Sequence, residues 1–187
     1  MEKIDWNALR DRAYKNACDH GFHEEKLSRE TYFMLIITEI SEAVEADRKG
    51  KHADMAFFNR KYKDYSDTRF GFERTIKGSV DEELADVIIR CLDLAGAYKI
   101  HLNVKYNSRV FTDDHWSYQT FAENAFELCK IVTDIENDNG LHLDTDILDI
   151  IYFVLDWCKY LGIDIMTHVH LKMEYNETRP YKNGEKY

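Results

Sequence analysis

Two stretches of the chain place pairs of carboxylates inside runs that are otherwise apolar. Residues 35–45 read Leu-Ile-Ile-Thr-Glu-Ile-Ser-Glu-Ala-Val-Glu, and residues 82–89 read Glu-Glu-Leu-Ala-Asp-Val-Ile-Ile. Residues three apart on a helix share a face. Glu39 and Glu42 therefore point the same way, as do Glu83 and Asp86. Helices of this kind must pack on one another to cover their apolar sides, and an opposed pair brings four carboxylates to one place. Two unit charges about 5 Å apart at an effective dielectric of 20 repel by roughly 3 kcal/mol, so four together need a cation. Oxygen-only ligation suits Mg²⁺, with Mn²⁺ as the alternative. The expectation is a hard-metal site held between two helices.

Helical wheels at about 100° per residue sharpen this. In the first stretch Phe33, Ile36, Ile37, Ile40 and Val44 form one apolar stripe, and Leu35 lies off it, between Glu39 and Glu42. Apolar residues nearly all round imply a mostly buried helix. Against that, ExxE on a helix is ordinarily a solvated face, and spacing alone favours that simpler reading. In the second stretch Glu83, Asp86, Arg90 and Asp93 share a polar stripe only about 80° wide. A helix that skirts the surface shows a wider polar face, so the narrow stripe favours a cleft. Arg90 is the structural competitor to a metal, through pairing with Asp86 or Asp93.

The rest of the chain reads as helices with recognisable ends. Asp5 caps a first helix that runs to about His20 and stops at Gly21. The loop 20–23 reads first as a packed turn, with base stacking by Phe22 as the functional alternative. Ser28 caps a second helix to about Lys49, and Ser79 with Glu82 reads as a capping box for the helix that holds Glu83 and Asp86. Thr112 caps a helix over roughly 113–138. Asp134, Glu136, Asp138 and Gly140 only faintly suggest a calcium loop, because the glycine comes one place late and no glutamate follows at the twelfth position. Asp144 or Thr145 opens a helix ending near Gly162, and a last helix runs from about Asp164 to Thr178.

These elements make one all-α domain over residues 1–187, long enough for a sizeable core. Residues 48–80 depart from it: they are basic and aromatic in a chain whose net charge is −10. That insertion reads as a lid over phosphates, an oligomer contact or a plain solvated excursion. A weak internal helical repeat aligns 83–102 with 146–165 without a gap, matching Asp86, Ile88, Leu92, Asp93 and Ile100 to Asp149, Ile151, Leu155, Asp156 and Ile163. The acidic balance argues against polymeric nucleic acid as a partner. No apolar run approaches a membrane span, and the N-terminus shows no apolar signal segment. The four cysteines, Cys18, Cys91, Cys129 and Cys158, form no CxxC pair. They read as reduced thiols in a cytoplasmic protein.

Near the end, Lys172, Asn176 and Arg179 fall at i, i+4 and i+7, one helical face. Two cations and an amide on one face suit phosphate oxygens, although a solvated face is the commoner use of such spacing.

Taken together, Glu39-Ile-Ser-Glu42, Glu83-Leu-Ala-Asp86 and Lys172…Asn176…Arg179-Pro180-Tyr181 resemble the MazG-like nucleotide pyrophosphohydrolases. These belong to the all-α NTP pyrophosphatase group, with the dimeric dUTPases and the phosphoribosyl-ATP pyrophosphohydrolases. The resemblance covers about 8–100 and 146–187. Thr38 stands where that family often has its first glutamate, and Asn183 where relatives often have histidine. The segment between the acidic helices is long, and 103–145 is extra.

The resemblance implies a helical bundle assembled as a homodimer or higher homo-oligomer. It implies hydrolysis of a nucleoside triphosphate to monophosphate and pyrophosphate. Glu39, Glu42, Glu83 and Asp86 would hold Mg²⁺ and serve the chemistry. A metal-bound water would attack phosphorus, with a carboxylate of the site as general base. Lys172 and Arg179 would offset phosphate charge and Asn176 would orient the phosphates. The alternative is a non-catalytic helical bundle, a binding or regulatory protein whose acidic faces are solvated or paired with Arg90.

Overall fold

The structure is a computed structural model that describes residues 4–62, 68–102, 113–135 and 142–184, apart from the side chains of 113, 114, 183 and 184. Among these residues all the regular structure is helical, with no strand. The elements are α1 (Trp6–Asp19), α2 (Arg29–Arg48), α3 (Met55–Lys61), α4 (Thr68–Thr75), α5 (Val80–Ala97), α6 (Asp113–Ser117), α7 (Phe121–Thr133), α8 (Leu143–Leu161) and α9 (Ile165–Glu177), followed by a 3₁₀ turn at Tyr181–Gly184. No helix among the described residues is long and apolar enough to cross a membrane.

The bundle is built round α5. Leu84, Ala85, Val87, Ile88, Cys91, Leu92, Leu94 and Ala95 are all fully buried, because α1, α2, α8 and α9 pack on it from different sides. Burying each Leu, Ile or Val of this set contributes about 1.5–3 kcal/mol before entropy is set against it. One contact is closer than a side chain allows. A Cβ on Gly96 would run into the Cβ of Tyr14, so α1 and α5 approach backbone to backbone there.

Helix ends follow the expected chemistry at several places. Asp5, Ser28, Ser79 and Asp164 each accept a backbone N–H of the first turn they precede. The box at Ser79 is only half made: Glu82 accepts from the Gly78 N–H and turns to Lys172. Two expectations are corrected. The single helix over 113–138 is two, α6 and α7, and the capping box belongs to Thr120 and Glu123, which satisfies the first turn of α7 and stops it merging with α6. Thr112 and residues 136–141 lie outside the described residues. Likewise α8 starts at Leu143, with His142 at its cap and no side-chain cap bond. Leu143 is buried, and its packing positions this end in place of a cap.

The basic, aromatic insertion is, in its described part, a small helical hairpin. Phe58, Phe72 and Ile76 make a second core with Tyr175 of α9, and the rings of Phe72 and Tyr175 stack at 4.5 Å. Lys63, Asp64, Tyr65 and Asp67 lie outside the described residues. The hairpin thus braces α9 against α5.

The two copies of the sequence repeat end in the same turn, one that also ends α1 and α2 at Gly21 and Gly50 and so is not particular to the repeat. Offset by 63 residues, Lys99 after α5 and Gly162 after α8 both adopt the left-handed region, with φ of 56° and 74°. The next residue closes each turn in the same way. Ile100 N–H donates to Ala95 C=O, and Ile163 N–H donates to Cys158 C=O, both at 2.8 Å.

Candidate metal and phosphate site

A cavity of about 490 Å³ opens between α1, α2, α5 and α9. Its floor is acidic. One carboxylate oxygen from each of Glu39, Glu83 and Asp86 lies within 4.8 Å of the others, and all three residues are buried. Among the described residues no other group of three acidic, histidine or cysteine side chains converges this way. The i, i+3 spacing of Glu83 and Asp86 puts both on the side of α5 that faces α2, and Glu39 meets them from α2. Glu42 lines the same cavity, but it is exposed and stands outside the three-oxygen group. The solvated-face reading therefore holds for Glu42 and fails for Glu39, which is only 7% exposed.

Crowding shows in the proton affinities. Burial, then Asp86, push the Glu39 carboxyl up to about 7, against the pull of Arg90. Burial, then Glu82 and Asp86, push Glu83 up to about 8. Both groups resist ionising at neutral pH without a further cation. This donor set fits a hard divalent ion: oxygen ligands only, buried, close-spaced and short of positive charge.

Two side-chain cations already reach the cluster. Arg90 Nε donates to Glu39 Oε1 at 2.8 Å, which corrects the expectation that it would pair with Asp86 or Asp93. Burying Glu39 at the α2–α5 interface leaves it in need of a donor, and Arg90 is the cation within reach. Asp93 instead pairs with His23 at 2.7 Å, and His23 Nδ1 meets the Tyr32 hydroxyl at 3.2 Å. From α9, Lys172 Nζ donates to Asp86 Oδ2 at 2.6 Å and also to Glu82. Burial opposes the charge on Lys172, and Asp86 and Glu82 more than offset it, holding the ammonium above the ordinary lysine range.

All three residues of the tail motif line this cavity. They do not share a helix face, since α9 ends at Glu177 and Arg179 follows its cap. Arg179 is held by its backbone, whose carbonyl faces His20 Nε2 at 2.9 Å. Asn176 Oδ1 is buried without a hydrogen-bond partner. The lining also has apolar residues, Ala13, Ala17, Phe22, Leu35, Ile89 and Pro180. Leu35, off the main stripe of its helix, contributes to this lining, and loop 20–23 is both a packed turn and a wall.

Glu82 was not anticipated as part of the site. Its spacing from Ser79 gave it a capping role, and the cross-helix bond to Lys172 carries no local signal. Lys77, which also lines the cavity, was obscured in the same way among the other basic residues of the insertion.

Comparison with known proteins finds no family model, no curated protein and no solved structure that matches this chain.

Proposed function

We propose that the chain is a Mg²⁺-dependent hydrolase that cleaves a (deoxy)nucleoside triphosphate to the monophosphate and pyrophosphate, as its resemblance to the MazG-like enzymes implies. The observation that carries the reading is the convergence of Glu39, Glu83 and Asp86 in one cavity with Lys172, Asn176 and Arg179. The three buried carboxylates would hold the metal, with Glu42 at the rim. Bound there, Mg²⁺ would offset charge on phosphate oxygens and make a water more acidic. The chain's own groups do the rest. One carboxylate of the cluster would take a proton from that water. Lys172 and Arg179 offset phosphate charge and Asn176 orients the phosphates. The apolar residues of the lining would give a nucleoside a surface to pack on. The proposed setting is the cytoplasm, with a homo-oligomer as the working form and no role for polymeric nucleic acid.

The pairing of Arg90 with Glu39 and of Lys172 with Asp86 favours the rival, a non-catalytic bundle in which these ion pairs are structural. A substrate screen separates the two. The protein is incubated with each NTP and dNTP plus Mg²⁺ while monophosphate and pyrophosphate are followed. Turnover of at least one nucleotide, lost in Glu39→Gln and Asp86→Asn, supports the hydrolase. No turnover, or turnover indifferent to both substitutions, refutes it.

A further inference from the structure

The cations of the cavity differ in what already holds them. Lys77, Arg90, Lys172 and Arg179 all line it. Arg90 sits on Glu39 at 2.8 Å, and Lys172 is buried on Asp86 and Glu82. Lys77 is exposed. Among the described residues it has no carboxylate partner: its Nζ donates to the Tyr175 hydroxyl at 3.4 Å and stands 5.7 Å from the centre of that ring. Lys172 Nζ is 5.9 Å from the same centre, so both ammonium groups stand beside one ring of the cavity wall. The main chain at Lys77 is fixed on both sides. Its N–H donates to Phe72 C=O at 3.0 Å, and its C=O accepts from Lys51 Nζ at 2.7 Å. Gly78, with φ of 70°, then turns the chain into α5.

Lys77 also marks one end of the cavity. It lies just before the start of α5; Glu82, Glu83 and Asp86 follow along the helix, and Ile89 comes after them. The lining residues of α1 and loop 20–23 belong to the far end of α5. Tyr14, next to Ala13, packs on Gly96, and His23, next to Phe22, pairs with Asp93. From one end to the other the order is cation, carboxylates, apolar wall.

We propose that Lys77 receives the terminal phosphates of the substrate and so makes the site selective for a chain of phosphates over a single one. The proposal rests on the nucleotide reading for the identity of the ligand. A nucleoside against the apolar wall, with its first phosphate at the carboxylates, leaves the remaining phosphates on the Lys77 side. A phosphate oxygen there replaces water on an exposed ammonium and gains a charge-assisted hydrogen bond. At Lys172 it must draw the ammonium away from two buried carboxylates, which opposes binding. Lys172 is thus committed first to the carboxylates, and Lys77 is the cation ready for an incoming polyphosphate. Lys77 belongs to the basic insertion, outside the three motifs that carry the family resemblance.

Calorimetry on the full chain in Mg²⁺, with inorganic pyrophosphate and orthophosphate as probes, tests it. The expected result is saturable binding of pyrophosphate, with orthophosphate at least tenfold weaker. Lys77→Gln should weaken pyrophosphate binding about tenfold, the size of one lost hydrogen bond to a charged group, and leave the melting temperature unchanged because the side chain is exposed. Arg74→Gln removes the same charge from the same hairpin, at an exposed position outside the cavity lining, and should change binding less than twofold. For any nucleotide that is turned over, Lys77→Gln should raise KM and leave kcat little changed. Equal weakening by both variants, pyrophosphate binding indifferent to Lys77→Gln, or no binding at millimolar pyrophosphate would each overturn the proposal. Pyrophosphate binding through Lys77 in a protein that turns over no nucleotide would instead refute the hydrolase reading and leave the role of Lys77 as a polyphosphate contact standing.

Discussion

Lys172 of α9 and Asp86 of α5 meet at 2.6 Å. The lysine proposed to offset phosphate charge thus sits on a carboxylate proposed to hold metal. The two halves of the site are coupled before any ligand arrives, and the same ammonium also satisfies Glu82.

Removing that ammonium leaves two buried carboxylates uncompensated. Lys172→Met should cost about 3–5 kcal/mol in chemical denaturation, the usual result of breaking a buried ion pair from one side. Glu82→Gln in the same background should recover part of the loss, so a double-mutant cycle will be strongly non-additive. Additive effects would mean that the two side chains do not share a charge.

Stability of the metal-free protein should fall as pH rises. The folded chain keeps protons on Glu39 and Glu83 up to about 7 and about 8, whereas the unfolded chain releases them near 4.5. Between those limits the native state binds more protons, and the slope of stability against pH is negative. Melting in EDTA should drop by on the order of 5 °C between pH 5.5 and 8.5, and millimolar Mg²⁺ should reverse most of the drop at the alkaline end. A flat profile in EDTA would show that the carboxylates are not crowded in solution.

In the proposed site Arg90 would compete with a metal for Glu39. Arg90→Gln should lower stability without Mg²⁺ and enlarge the Mg²⁺-induced rise in melting temperature. If neither protein responds to Mg²⁺, with or without nucleotide, the pair is structural and the rival reading gains.

The close approach of α1 and α5 predicts that Gly96→Ala costs about 1–3 kcal/mol, because the methyl meets the near-backbone Cβ of Tyr14 and not a side-chain tip that can swing away. Lys99→Gly should have the opposite sign, a gain of about 0.5–1 kcal/mol, since a left-handed lysine is strained where the equivalent Gly162 is not. Both are read from urea midpoints at constant slope.

The helices and their starts at Asp5, Ser28, Ser79 and Asp164 were legible because capping and periodicity are local. So was the convergence of Glu83 and Asp86, which needs only spacing on one helix. Glu39 and Glu42 were not separable that way. They share a face by spacing, yet α5 covers one and not the other, and coverage depends on where a second helix lands. For the same reason Arg90 was matched with carboxylates of its own helix when its partner lies across the interface, and Glu82 passed as a cap. The break between α6 and α7 was missed because the pattern runs through it, while the Thr120 capping box competes successfully with helix continuation.

The separation of Lys172 from Glu82 by 90 residues has a consequence for the order in which the protein is made. When α5 has been synthesised, Glu82, Glu83 and Asp86 already exist, and of the cavity's cations Lys77 and Arg90 are made, but Lys172 and Arg179 are not. Docking of α9 is then the event that brings Lys172 to the carboxylates and Tyr175 to the second core together, so the completed site is a late product of translation.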